Sequence, residues 1–200
     1  MIQTAMMPRT QQAPAVIDAR RRRFTIDEYH RMADAGVFTP DERVELLDGE
    51  IVEMSPIGSR HAGIVDRLNM LFTRRLGRHV IVRVQNPIVL DDYSEPQPDL
   101  TILTARPDYY VGAHPRPADV LLAIEVMDSS ASYDRSLKLP LYARKHLREL
   151  WLVDLPGAAV DVYRRPTASG YREHQRLTRG QRLTALAFPR IHFRVADILG

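Results

Sequence analysis

Residues 119–127, DVLLAIEVM, form the stretch that decides the fold, and they are almost continuously apolar. Such a run is typical of a central strand that is buried on both faces of a sheet. Glu125 breaks the pattern, because it places a carboxylate inside the most apolar strand of the chain. An unpaired charge there would be strongly destabilising, so Glu125 must either pair with a cation such as an arginine or bind a metal ion.

A second acid opens the strand that precedes this one. Asp99 begins the segment DLTIL, residues 99–103, directly after Gln97-Pro98. If the two strands are neighbours, Asp99 and Glu125 can converge on one hard cation. Magnesium takes oxygen ligands, usually one or two carboxylates together with water and phosphate. From the residues alone, this metal site and an ion pair between Glu125 and an arginine both remain open.

The lysine content points to a third residue. The chain has 28 positive residues, and only two of them, Lys138 and Lys145, are lysines. Lys138 lies on the helix predicted to follow the Glu125 strand, so its side chain can reach back to the strand's end. A lysine near a metal and carboxylates can orient or stabilise an attacking hydroxide, whereas arginine does not give up its proton. The alternative is a solvated helix lysine. Pro140 is expected to kink or delay this helix, because it lacks a backbone donor.

The flanking elements predict one α/β domain with a mixed sheet flanked by helices. Residues 43–54, RVELLDGEIVEM, predict a hairpin, because Asp48-Gly49 suits a type I′ turn. A helix is predicted over 61–76, followed by a strand over 80–90 that is interrupted or bent around Asn86-Pro87. Later strands are predicted at 150–153, 160–163, 171–177 and 182–186, with the last three forming an antiparallel extension.

The basic charge of the protein is concentrated in its first residues. Residues 1–23 hold five arginines and one aspartate, and they are predicted to form a flexible basic N-terminal arm. Because the whole chain carries +3, residues 24–200 carry −1. Charge therefore does not decide whether the partner is a nucleic acid. The domain is expected to begin at Phe24, with Thr25 capping a short helix.

Composition excludes several classes of protein. The apolar share of 44% and the charged share of 26% are ordinary for a globular protein. No apolar run approaches the roughly 18–20 residues of a membrane span, and the N-terminus lacks a secretory signal, so a cytoplasmic protein without membrane contact is expected. Cysteine is absent, which excludes disulfides and thiolate metal sites but leaves oxygen ligands open.

Five motifs follow one another along the chain: RVELLDGEIVEMSP at 43–56, QPDL at 97–100, IEVMDSS at 124–130, YDRSLKLPLYAR at 133–144 and ELWLVD at 149–154. In this order they resemble the Uma2 family of endonucleases, within the PD-(D/E)XK nuclease superfamily. The resemblance covers roughly residues 24–200 and implies a restriction-endonuclease-like core.

The resemblance implies a metal-dependent endonuclease that hydrolyses DNA. The family's acidic pair falls on Asp99 and Glu125, which would hold Mg²⁺ or Mn²⁺ with help from the backbone carbonyl of Val126. Met127 stands where the superfamily's E-x-K motif would place its lysine. In the Uma2 pattern the following helix supplies the lysine, and Lys138 matches that place.

Two further catalytic candidates match the family pattern. Glu45 matches the glutamate of the hairpin, and from the residues alone it is either a third acid or a salt-bridge partner. His61 matches the histidine that opens the next helix, where a core histidine is the alternative. The resemblance also implies a homodimer. Two other readings remain open: a catalytically inactive nucleic-acid-binding relative, and a non-nuclease assembly protein of the same fold.

Overall fold

The computed structural model describes residues 21–128 and 131–200, with the side chains of 131–135 left out. Residues 1–20 of the predicted basic arm therefore lie outside the described residues. Four α-helices are described: α1 (Ile26–Asp34), α2 (Ser59–Leu76), α3 (Ala131–Arg144) and α4 (Val195–Leu199). The strands are β1 (Val44–Leu47), β2 (Glu50–Glu53), β3 (Val80–Val84), β4 (Leu100–Thr104), β5 (Val120–Met127), β6 (Glu149–Asp154), β7 (Ala159–Thr167), β8 (Gly170–Thr178), β9 (Arg182–Leu183) and β10 (Phe193–Arg194).

A mixed sheet forms the centre of the described fold, with six strands in the order β3-β4-β5-β6-β7-β8. All neighbours are antiparallel except β5 and β6, which run parallel. A parallel pair needs a crossover connection, and α3 provides it between these two strands. The predicted mixed α/β class and the antiparallel extension through β7 and β8 are confirmed.

The predicted hairpin is formed by β1 and β2, with Glu45 opposite Val52. Asp48 and Gly49 both have positive φ, 53° and 84°, as a type I′ turn requires. The backbone N–H of Glu95, in the loop before β4, donates to the carbonyl of Leu46 at 2.7 Å. This bond ties the hairpin to the central sheet and fixes the position of Glu45.

Helices cover both faces of the sheet. On one face, Phe72 of α2 packs with Trp151 and Phe193, with ring centroids 4.7–5.8 Å apart. On the other face, Tyr142 of α3 is completely buried. Because Glu125 pairs with Leu152 in register, its side chain lies on the α3 face. The strand alternation therefore turns Glu125 towards the helix that carries the candidate lysine.

Three sequence predictions are corrected. The segment 182–186 does not extend the central sheet, because only Arg182–Leu183 is a strand and it pairs with β10. Leu183 and its β10 partner Phe193 are buried in the core that also contains Phe72 of α2 and Trp151 of β6, so this small ribbon packs on a face of the sheet. The strand predicted over 80–90 ends at Val84. The helix α3 is not delayed by Pro140, because it begins at Ala131 and continues through Pro140 to Arg144.

Among the described residues, no helix combines the length and the apolarity that crossing a membrane requires.

Candidate active site

A cleft of about 360 Å³ lies between the hairpin, the start of α2 and the sheet. It brings together every side chain predicted for the site: Glu45, His61, Asp99, Glu125 and Lys138. Val126, predicted as a backbone ligand, also lines it. These residues come from five separate parts of the chain, so the fold assembles the cleft.

The register of β4 and β5 sets the acidic pair. Leu100 pairs with Ile124, which places Asp99, one residue before β4, beside Glu125. The backbone N–H of Val126 donates to Oδ2 of Asp99 at 2.8 Å, and the N–H of Asp99 approaches Oε2 of Glu125 at 3.4 Å. Asp99 and Glu125 are each 8% exposed. The two acids therefore share one small buried region.

Glu125 is a buried acid of the cleft whose pKa departs strongly from its ordinary value. Burial raises the pKa of Glu125 from its ordinary 4.5 to about 7, although the ammonium of Lys138 acts against the rise. The negative charge of Asp99 adds to the rise. Tyr142 donates its hydroxyl to Oε1 of Glu125 at 2.6 Å. A buried acid with a raised pKa in a cleft is a candidate functional group.

Lys138 lies in the same region and is only 6% exposed, so it is not a solvated helix lysine. Its Nζ lies 3.0 Å from Oε1 of Glu45 and 3.4 Å from Oε1 of Glu125. Glu45 also accepts the backbone N–H of Gln97 at 3.0 Å, which fixes its carboxylate. Pro140 is exposed. Two residues along a helix turn the chain about 200°, so Pro140 leaves Lys138 in place.

His61 supports the other acid. Its Nε2 lies 3.0 Å from Oδ2 of Asp99, and this hydrogen bond raises the pKa of His61 although burial opposes the rise. Burial would raise the pKa of Asp99, but the hydrogen bond and charge of His61 hold it below its ordinary value. Nδ1 of His61 is buried and has no hydrogen-bond partner among the described residues. His61 is therefore part of the cleft, not of the hydrophobic core.

Two residues of the site were not predicted from the sequence. Tyr142 follows Lys138 by four residues, which places both on one face of α3. This spacing from Lys138 could have identified Tyr142 as a site residue from the sequence. Gln85 donates its side-chain amide to Oδ1 of Asp99 at 3.2 Å and has an unusual positive φ of 49°. Nothing local in the sequence marks it, because its role depends on the end of β3 meeting Asp99.

The described residues contain no group of three or more His, Cys, Asp or Glu arranged to hold a metal. The Asp99–Glu125 pair alone still suits magnesium, which needs only one or two carboxylates when water and phosphate complete its shell. A carboxylate has about four acceptor positions. Within the described structure Asp99 accepts hydrogen bonds from His61, Gln85 and Val126, which leaves about one acceptor position for a hard cation.

The six-stranded mixed sheet with an N-terminal hairpin defines a restriction-endonuclease-like fold. The chain belongs to the Uma2 family, described as "Putative restriction endonuclease", whose profile matches residues 26–196. Among solved structures, it is similar to "a putative nuclease belonging to DUF820 from Anabaena variabilis ATCC 29413", with a TM-score of 0.70 and 17% identity. That alignment covers 88% of this chain and 97% of the other. No curated protein matches the chain. The resemblance drawn from the motifs is confirmed.

Proposed function

We propose that the protein is a metal-dependent endonuclease that hydrolyses DNA phosphodiester bonds in this cleft. The observation that carries the proposal is the buried ammonium of Lys138. Its Nζ lies 3.4 Å from Oε1 of Glu125, in the cleft that Asp99 also lines. A lysine beside two converging acids is a suitable arrangement for activating water against a phosphodiester. Membership of the Uma2 family supports the nuclease class.

Asp99 and Glu125 would hold Mg²⁺, or Mn²⁺, with the backbone carbonyl of Val126 as a further oxygen ligand. Such an ion, when bound, lowers the pKa of a coordinated water and neutralises charge on the scissile phosphate. The raised pKa of Glu125 supports this assignment, because a second positive charge beside Lys138 would favour the ionised carboxylate.

The chain's own residues have distinct roles in this proposal. Lys138 orients the attacking water or stabilises the charge that develops on the phosphate oxygens. Glu45 holds the ammonium of Lys138 in place through its 3.0 Å contact. Tyr142 fixes one oxygen of Glu125, and His61 fixes one oxygen of Asp99. Glu45, His61 and Tyr142 therefore act on the groups that would contact the substrate.

The rival proposal of an inactive nucleic-acid-binding relative would be favoured by a lysine displaced from the cleft. The position of Lys138 gives it no such support.

Metal titration of the purified protein, with supercoiled and single-stranded DNA as substrates, tests the proposal. Cleavage is expected with Mg²⁺ or Mn²⁺ and is expected to disappear in Asp99→Asn and Glu125→Gln. The control is Lys145→Ala, because Lys145 forms an ion pair with Asp91 and does not line the cleft. Absence of cleavage by the wild-type protein with every metal would refute the nuclease assignment.

A further inference from the structure

The outer face of α2 carries a row of arginines. Arg60, Arg67 and Arg74 follow one another at seven-residue spacing and are all exposed. Seven residues of an α-helix turn the chain about 700°, only ~20° short of two full turns, so the three side chains form one stripe. The helix contains one acid, Asp66. This face of α2 is therefore basic along its length.

The row begins at the rim of the cleft. A guanidinium nitrogen of Arg60 donates to the carbonyl of Leu155 at 3.1 Å, and another lies 3.8 Å from Asp128. Asp128 lines the cleft, and His61 follows Arg60 directly in the chain. The basic stripe is thus adjacent to the site that would take DNA.

The row ends in a larger basic surface. Arg75 lines two adjoining depressions, one containing Arg67 and Arg74 and the other a concavity of about 480 Å³. The concavity is lined by Arg75, Arg182, Arg190, Ile191, His192 and Arg194. Together the two depressions hold six arginines against two aspartates, Asp66 and Asp197.

Five arginines of this surface form no ion pair with the described residues: Arg67, Arg74, Arg75, Arg182 and Arg190. Arg194, in contrast, is held by both carboxylate oxygens of Asp197, at 2.9 and 2.7 Å. Residues 24–200 carry a net charge of −1. Because this surface has an excess of +4, the rest of residues 24–200 carries −5, so the surface differs in sign from the rest of the domain.

We infer that this surface, the arginine track (Arg60, Arg67, Arg74, Arg75, Arg182 and Arg190), binds the phosphate backbone of duplex DNA outside the cleft. The choice of DNA as the ligand rests on the proposed function, whereas the basic surface is a feature of the described structure. Arg60 and Arg74 are 14 residues apart, about 21 Å along α2, which corresponds to about six base pairs at ~3.4 Å each.

The residues of the track favour a duplex over a single strand. Single-strand sites combine basic grooves with aromatic side chains on which bases stack. The residues lining the two depressions include no Phe, Tyr or Trp. Backbone contacts through arginine carry no sequence information and position the duplex. The track would therefore strengthen DNA binding without selecting a sequence.

Salt-dependent binding to a fluorescent duplex of about 20 base pairs tests the track. The binding is measured in EDTA, so that cleavage is absent. The test variant is Arg75→Gln/Arg182→Gln/Arg190→Gln. The matched control is Arg116→Gln/Arg148→Gln/Arg172→Gln, which removes equal charge from exposed arginines that line neither depression.

The slope of log K against log salt falls by about 0.9 for each phosphate contact that is lost. The track variant should therefore show a slope shallower by about 2 to 3, while the control keeps the wild-type slope. Equal slopes in the two variants would overturn the track. A single strand that binds as tightly as the duplex, with the same loss in the track variant, would overturn the duplex assignment.

The outcomes separate this inference from the nuclease proposal. If the wild-type protein never cleaves DNA, and the salt dependence of binding becomes shallower only in the track variant, the nuclease proposal is refuted and DNA binding by the arginine track is supported. If the wild-type protein cleaves DNA, and the two variants show equal salt slopes, the nuclease proposal is supported and the arginine track is refuted.

Discussion

Replacing Glu125 with glutamine should stabilise the metal-free protein at alkaline pH. Burial raises the pKa of Glu125 from 4.5 to about 7 in the folded protein. One pKa unit corresponds to about 1.4 kcal/mol, so the ionised carboxylate costs the folded state about 3 kcal/mol above neutral pH. Glutamine keeps an oxygen that can accept the Tyr142 hydroxyl, and it removes the buried charge.

The stability difference between Glu125→Gln and the wild type should depend on pH. An acid with a raised folded-state pKa contributes stability that is fully present below about pH 4.5 and is lost as the pH rises through about 7. The glutamine variant lacks this loss. Its advantage over the wild type should therefore be small near pH 5 and approach ~3 kcal/mol near pH 8. This is an upper value, because Lys138 loses one of its two described acidic partners and retains Glu45.

Urea unfolding in EDTA, at about pH 5 and about pH 8, measures this difference. Asp99→Asn is the matched control and should change stability in the opposite direction. The pKa of Asp99 is held below its ordinary value by His61, so its charge stabilises the fold above the unfolded-state pKa. The reasoning would be refuted if Glu125→Gln were less stable than wild type at the higher pH. It would also be refuted if the difference in the free energy of unfolding between variant and wild type were the same at both pH values.

Three further predictions concern the chemistry and the assembly. Lys138→Ala should lower the rate of DNA cleavage by about 10²–10⁴-fold, and Lys138→Arg should restore little of that rate. Lys145→Ala should cleave DNA at the wild-type rate, so equal rates for the two alanine variants would contradict the role of Lys138. Mg²⁺ or Mn²⁺ should raise the melting temperature of the wild type, and scanning calorimetry should find most of that shift lost in Asp99→Asn and Glu125→Gln; an unchanged shift would place the metal elsewhere. Light scattering at micromolar concentration should find a homodimer, because β8 is an edge strand of the described sheet and such an edge needs cover; a monomer would overturn this expectation.

The sequence by itself determined the elements that depend on near neighbours. The dipeptide Asp48-Gly49 defined the hairpin and its register, because few residue pairs accept two positive φ angles. Thr25 and Glu28 form the predicted capping box. The apolar run around Glu125 indicated a central strand, and β5 lies in the interior of the sheet.

Only the tertiary structure decided which distant segments meet. The pairing of β9 with β10 could not be predicted, because strand periodicity does not name a partner. The contact between Gln85 and Asp99 depends on how β3 ends against β4. Arg75 and Arg182 line one concavity although they are far apart in the chain. Local propensity acts over a few residues, whereas these contacts follow from the closing of the sheet and the packing of α2 upon it.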